Sequence, residues 1–210
     1  MKARIGIIDY GMGNLHSVKN ALDFIGADSF VSDKKSELEA AAGLILPGVG
    51  AFPDAMERLN ETGLSDFIRD YVKERPLLGI CLGMQLLFDR GYEFRACDGL
   101  GLVAGEVVKI KPEGLKVPHM GWNALTLVND SPLTASLHDG DQVYFVHSYK
   151  GIVKNHENLI AVTDYGEEIT AIVQNGNAYG CQFHPEKSES VGLGILREFR
   201  RIVDDHFARN

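Results

Sequence analysis

Three things are scarce in this chain of 210 residues, and each shortage narrows what it can be. There are 3 cysteines, at positions 81, 97 and 181, with no Cys-x-x-Cys pair and no histidine spacing typical of zinc. That excludes a disulfide-stapled scaffold and a zinc module, so no metal is expected, and it predicts free thiols in a reducing cytoplasm. Cations are the second shortage: 21 lysines and arginines face 29 aspartates and glutamates, a formal charge of -8. Binding a phosphate backbone needs clustered cations, so nucleic acid is not an expected partner. Long apolar runs are the third. None approaches the roughly 20 residues that span a bilayer, and the apolar part of Met1–Asp9 is too short for a signal peptide, so no membrane is expected either.

What is present is core. With 45% hydrophobic and 24% charged residues, and no internal repeat, low-complexity tract or linker, residues 1–210 are expected to form a single domain. Residues 3 to 9 predict a buried strand, and Asn14 an N-cap for a helix over 15 to 25 that Gly26 ends. Strands are predicted over 28 to 32, 43 to 46 and 77 to 80, with helices over 64 to 74 and 82 to 89. This alternation predicts an α/β fold with a mostly parallel sheet covered by helices on both faces. The second half changes character. Segments 102 to 110, 122 to 128, 142 to 146 and 158 to 164 are strand-like with few helices between them. Segments 168 to 174 and 177 to 183 flank Asn175-Gly176, a hairpin signal, so this half is expected to be antiparallel. An amphipathic helix over about 191 to 207 closes the chain, with Ser188 or Ser190 as its cap.

The chemistry concentrates in Gly79-Ile80-Cys81-Leu82-Gly83, where a strand turns sharply into a helix with a thiol at the bend. Flanking glycines give a nucleophile elbow the room a side chain would fill. The N–H of Leu82 and the positive end of the new helix favour a thiolate and a developing oxyanion. An isolated pentapeptide of this kind also fits a tight turn around a buried thiol. His184-Pro185-Glu186 supplies the missing base. Proline keeps His184 extended, and residues two apart in an extended chain face one side. Glu186 can therefore hold one ring nitrogen while the other serves Cys81, giving nucleophile, base and orienting carboxylate.

Two glycine loops follow strands. Pro47-Gly48-Val49-Gly50 ends the strand at 43 to 46, and its backbone N–H groups at Gly48 to Gly50 are candidate oxyanion donors; an ordinary Pro-Gly turn has the same local sequence. Gly11-Met12-Gly13 lacks the third glycine of a dinucleotide fingerprint, since His16 stands there, and no Gly-Lys-Ser/Thr follows. No cofactor is expected.

Gly79-Ile80-Cys81-Leu82-Gly83-Met84-Gln85 together with His184-Pro185-Glu186 resembles the class I glutamine amidotransferases. Gly13–Val18, Pro47–Phe52, Pro118-His119-Met120-Gly121-Trp122-Asn123 and Tyr144-Phe145-Val146-His147-Ser148-Tyr149 resemble one branch, the glutaminase subunits of imidazole glycerol phosphate synthases. The resemblance spans nearly the whole chain. It implies the flavodoxin-like amidotransferase fold, glutamine as substrate, a cysteinyl thioester, and ammonia handed to a cyclase subunit with a (βα)8 barrel in histidine biosynthesis. It implies an oxyanion hole from Leu82 and the Gly48, Val49 and Gly50 loop, and glutamine contacts from Gly50, Gln85, Glu93, His147, Ser148 and Tyr149. Glu93 would pair with the α-ammonium group. Met120, Trp122 and Lys187 are implied at the partner interface, although a lone tryptophan in such a chain is by default a core residue. Histidines 119, 138, 156 and 206 are expected to be non-catalytic. A glutaminase serving another acceptor, or a scaffold that has lost catalysis, are the rival expectations.

Overall fold

The structure, a computed structural model, describes residues 3–209. Strands β1 (Ile5–Ile8), β2 (Ser29–Ser32), β3 (Gly43–Gly48) and β4 (Leu77–Cys81) alternate with helices α1 (Leu15–Phe24), α2 (Lys35–Leu38), α3 (Phe52–Glu61) and α4 (Leu64–Val72). A single turn, α5 (Leu82–Gln85), leaves β4 without a connecting residue. Ten strands follow: β5 (Phe88–Gly91), β6 (Cys97–Asp98), β7 (Val103–Lys109), β8 (His119–Ala124), β9 (Thr126–Leu127), β10 (Gln142–His147), β11 (Tyr149–Val153), β12 (Leu159–Asp164), β13 (Glu168–Asn175) and β14 (Ala178–Cys181). Helix α6 (Glu189–Arg209) ends the described chain.

Eight strands form the central sheet in the order β2-β1-β3-β4-β14-β13-β12-β9. The first five run parallel and the remaining pairings are antiparallel. With β14 in fifth place, the parallel part has the flavodoxin-like 2-1-3-4-5 order. Side chains alternate across it as strand geometry requires. Ile5 and Ile7 join Val18, Leu22, Ile195 and Phe199 on one face, while Ile8, Leu44 and Leu46 join Phe52, Leu59 and Ile68 on the other. Helices α1 and α6 cover the first face, α3 and α4 the second. Two smaller sheets, β10-β8 and β11-β7-β5-β6, stand beside it.

Several boundaries differ from the sequence expectation, each for a physical reason. The helix expected over 82 to 89 stops at Gln85. The carbonyls of Leu86, Leu87 and Phe88 accept N–H groups from residues 100 to 103, and the chain then pairs as β5. The strand expected over 122 to 128 breaks at Leu125, because β8 pairs with β10 and β9 with β12. The hairpin turns one residue later than expected. Asn175 pairs with Ala178, so Gly176 and Asn177 form the loop, with Gly176 at φ +55° in the first central position as a type II′ turn demands. Asn14 caps α1 through Ser17 N–H as expected. Ser188 does not lend its hydroxyl to α6: it donates to the His184 carbonyl and accepts from Tyr144 N–H.

At the junction of β4 and α5, Cys81 has φ +55° and ψ -114°, a conformation L residues avoid. Neighbouring glycines permit it. A Cβ on Gly79 would lie 2.6 Å from the Gly83 carbonyl oxygen, and one on Gly83 would collide with the carbonyl oxygen of Leu46 on β3. Since that collision is with backbone, which cannot swing aside as a flexible side chain can, Gly83→Ala is expected to destabilise the fold by about 3 kcal/mol or more. Denaturant unfolding of the variant measures it; an unchanged midpoint would mean that β3 and α5 do not need this contact.

Candidate active site

Cys81 and His184 reach one cleft from adjacent strands. β4 and β14 pair in parallel with Ile80 opposite Cys181, so the chain leaving β14 brings His184 out beside the elbow. The cleft holds about 320 Å³ and is lined by Cys81, Leu82, Gln85 and His184, by Val49 and Gly50, by Glu93 and Pro118, and by Val146, His147, Ser148 and Tyr149. Larger grooves lie elsewhere, one of about 600 Å³ between Asp23, Arg200 and Phe207.

Glu186 Oε1 lies 2.8 Å from His184 Nδ1, with the two side chains 1% and 5% exposed. Ring orientation is further fixed through the backbone, because His184 N–H donates to the Tyr144 carbonyl and Ser188 binds the His184 carbonyl. The remaining ring nitrogen is left for Cys81. Burial alone would favour a neutral ring, but the hydrogen bonds to Cys81 and Glu186, with the attraction of both groups, push the His184 pKa up to about 10. Cys181, fully buried, has its thiol pushed well up by that burial, which leaves it inert.

Every residue expected to touch glutamine lines this cleft, yet their free valences differ. Gln85 spends both N–H groups on the Tyr149 carbonyl (2.8 Å) and Gln182 Oε1 (3.0 Å), leaving only its oxygen for a ligand. His147 spends Nδ1 on the Tyr149 carbonyl and Nε2 on His119 Nδ1; burial pushes its pKa down to about 4, so the ring is neutral. Glu93 Oε2 accepts Phe52 N–H at 2.8 Å, capping α3, whose own N-cap residue Ala51 offers no side-chain acceptor. Its other oxygen remains available to a cation. Of the expected oxyanion donors, Leu82, Val49 and Gly50 line the cleft. Gly48 does not; it ends β3 opposite Cys81, packed so closely that a Cβ there would lie 2.7 Å from Gly83 N and 2.8 Å from Tyr10 Oη.

The outward face of β8 carries Met120 (60% exposed) and Trp122 (45% exposed), so the lone tryptophan is not a core residue. Trp122 packs edge-on against Tyr144, its partner on β10. Lys187 is exposed on the chain after His184. The inward face of β8 holds His119 and Asn123, whose hydrogen bonds lead to His147. Neither the elbow nor His184-Pro185-Glu186 marks Gln182, His119 or Ser188 for this site in the sequence. The available signal was polar residues inside apolar runs, which need partners once buried.

This cysteine elbow with a His-Glu pair, on a flavodoxin-like sheet, defines a class: the chain belongs to the glutamine amidotransferases of class I, matching that family over residues 6–201. It is 53% identical over 207 residues to the imidazole glycerol phosphate synthase subunit HisH of Bacillus licheniformis, covering 96% of this chain and 97% of that one. The protein of the same name from Bacillus subtilis (strain 168) is 50% identical over 205 residues, covering 95% and 96%. Among solved structures, PurLQS from Thermotoga maritima superposes with a TM-score of 0.73 at 20% identity, covering 96% of this chain and 99% of that one. A glutamine amidotransferase from the same organism gives 0.70 at 16%, covering 97% and 99%; these two likenesses speak for the fold.

The sign of the His184 shift has a measurable consequence. Its folded pKa lies above the ordinary 6.5, so the charged ring contributes stability that is fully present below about pH 6.5 and lost as pH rises through about 10. NMR titration should give a midpoint near 10 that falls by more than about one unit in Cys81→Ala. A wild-type midpoint near 6.5 would dissolve the ion pair.

Proposed function

We propose that this chain is the glutaminase subunit of an imidazole glycerol phosphate synthase, hydrolysing glutamine through a thioester on Cys81 and handing the ammonia to a cyclase subunit. The observation that carries the reading is the meeting of Cys81 and His184 in one cleft with Glu186 bonded behind the ring, in a chain about half identical to synthase subunits over nearly their whole length. Glutamine's carboxamide is a weak electrophile, so covalent catalysis divides its hydrolysis into two easier steps. The Cys81 sulfur bonds to the carboxamide carbon, and the charge that develops on oxygen meets the N–H of Leu82 and an N–H from Val49 or Gly50. The carbon–nitrogen bond then breaks as the His184 imidazolium gives its proton to the departing nitrogen. Water attacks the thioester, His184 takes a proton from it, and the sulfur leaves from glutamate. Glu186 holds the ring and stabilises its charged form.

At the far end of the ligand, Glu93 Oε1 suits the α-ammonium group, and the backbone of His147 to Tyr149 the carboxylate. The partner is a (βα)8-barrel cyclase, docked on Met120, Trp122 and Lys187 in a cytoplasmic heterodimer; exposed Met and Trp are enriched where partners bind. No helix among the described residues is long and apolar enough to cross a membrane.

Glutaminase turnover of the purified chain, alone and with the cyclase and its ligand, tests this. Turnover should rise by about tenfold or more when the partner is added, because the Val49 and Gly50 loop must bring an N–H to the oxyanion. Cys81→Ser should remove on the order of a thousandfold or more, and Trp122→Ala should blunt the response to cyclase by about tenfold. Full turnover in the isolated chain would sink the gating, and undiminished turnover in Cys81→Ser the thioester.

A further inference from the structure

We propose that Gln182, outside the catalytic set, is the positioning residue for the nucleophile: its side-chain N–H donates to the sulfur of Cys81 and holds it aimed into the cleft. The proposal rests on the thioester reading of the same site and adds to it the group that prepares the thiol.

Gln182 lies in an apolar stretch and is completely buried, where a carboxamide is costly unless bonded at both ends. Which end faces where follows from its neighbours. A backbone carbonyl can only accept, so the nitrogen of Gln85, not its oxygen, faces Tyr149 at 2.8 Å. The second N–H of that nitrogen goes to Gln182 at 3.0 Å, so Gln182 turns its oxygen to Gln85. Its nitrogen must then point the other way, where Cys81 Sγ lies at 3.9 Å. The backbone keeps the amide in place, because Gln182 N–H donates to the Ala171 carbonyl at 2.9 Å.

Besides His184, the sulfur thus meets two further partners of different kinds. The Val146 carbonyl, also at 3.9 Å, suits S–H, and the Gln182 N–H suits the thiolate. Donors to a charged acceptor bind about twice as strongly as donors to a neutral one, so losing the thiol proton exchanges the weaker contact for the stronger. Other titratable groups surround this sulfur: His184 with Glu186 behind it, Tyr10 beyond β1, Cys181 on β14, and His147, Glu93 and Tyr149 in the cleft lining. Among these groups and Gln182, only Gln182 is a neutral donor with no proton to gain or lose in the working range.

Gln182→Glu isolates the role, since a carboxylate still accepts from Gln85 but puts an acceptor where the sulfur had a donor. Alkylation by iodoacetamide, resolved by peptide mass spectrometry into Cys81, Cys97 and Cys181, reads the thiol without needing glutamine or the cyclase. Cys81 of the wild type should react fastest. In Gln182→Glu its rate near neutral pH should fall by about tenfold. Turnover of the complex should fall in parallel, with the glutamine KM changed by less than about threefold, the mark of a lost transition-state contact. Gln182→Leu, which removes both functions, should also slow Cys81. Identical alkylation profiles in wild type and Gln182→Glu would overturn the proposal while leaving Cys81 as nucleophile. A wild-type Cys81 no faster than Cys97 would overturn the nucleophile reading and the proposal with it.

Discussion

Three stretches of backbone meet without side chains between them, and the site depends on that contact. The Leu46 carbonyl of β3 abuts Gly83, the Gly83 carbonyl abuts Gly79, and Gly48 abuts Gly83 N. Only glycine allows such approach, and the approach holds Cys81 at φ +55° against a cost on the order of 1 to 3 kcal/mol. From this strained residue the remaining geometry follows. β4 is fixed between β3 and β14, β14 stops beside it, and proline at 185 keeps His184 from turning away. Had the bend relaxed, Sγ would leave the line between His184 and Gln182.

A second organising group is the carbonyl of Tyr149. It accepts from His147 Nδ1 and from Gln85 Nε2, both at 2.8 Å, which uses both of its lone pairs. One branch continues through Gln85 to Gln182 and the nucleophile. The other continues through His147 to His119 and Asn123 on β8. His119 is clamped between Phe145 and Tyr165, with ring centroids 4.8 and 3.9 Å away. Since β8 presents these polar residues inward and Met120 and Trp122 outward, pressure on the outer face bears on a strand whose inner face is bonded to the cleft. A rigid shift of β8 cannot move one set without the other.

Much of this was legible in the sequence because it is local. The elbow lies within five residues, the His184–Glu186 contact within three, and the parallel half announces itself through alternation of strand and helix. What stayed hidden depends on residues far apart. The stop of α5 is made by N–H groups from residues 100 to 103, which no local signal at 86 to 88 contains. Helix α3 lacks a capping side chain at Ala51 and borrows Glu93, 41 positions beyond the Phe52 N–H it accepts. β8 and β9 look like one strand from 122 to 128 until two different sheets claim them. Ser188 has the sequence of a helix cap, yet its hydroxyl finds better partners in Tyr144 and His184.

On the thioester reading, the charge state of the cleft also decides what becomes of ammonia. At rest His184 stands beside the nucleophile as an acid, held protonated by Cys81 and Glu186. It surrenders that proton in forming ammonia, and so is neutral when ammonia is released. His147, the other histidine lining the cleft, is neutral throughout because burial keeps its pKa near 4. Glu93 is tied to a backbone N–H as an acceptor. With the Tyr149 phenol pushed up by burial, none of the described residues lining the cleft is then an acid placed to trap ammonia as ammonium. Burial of His147 and pairing of His184 therefore serve one end: a proton is available for the departing nitrogen once, and not again until water has cleared the thioester.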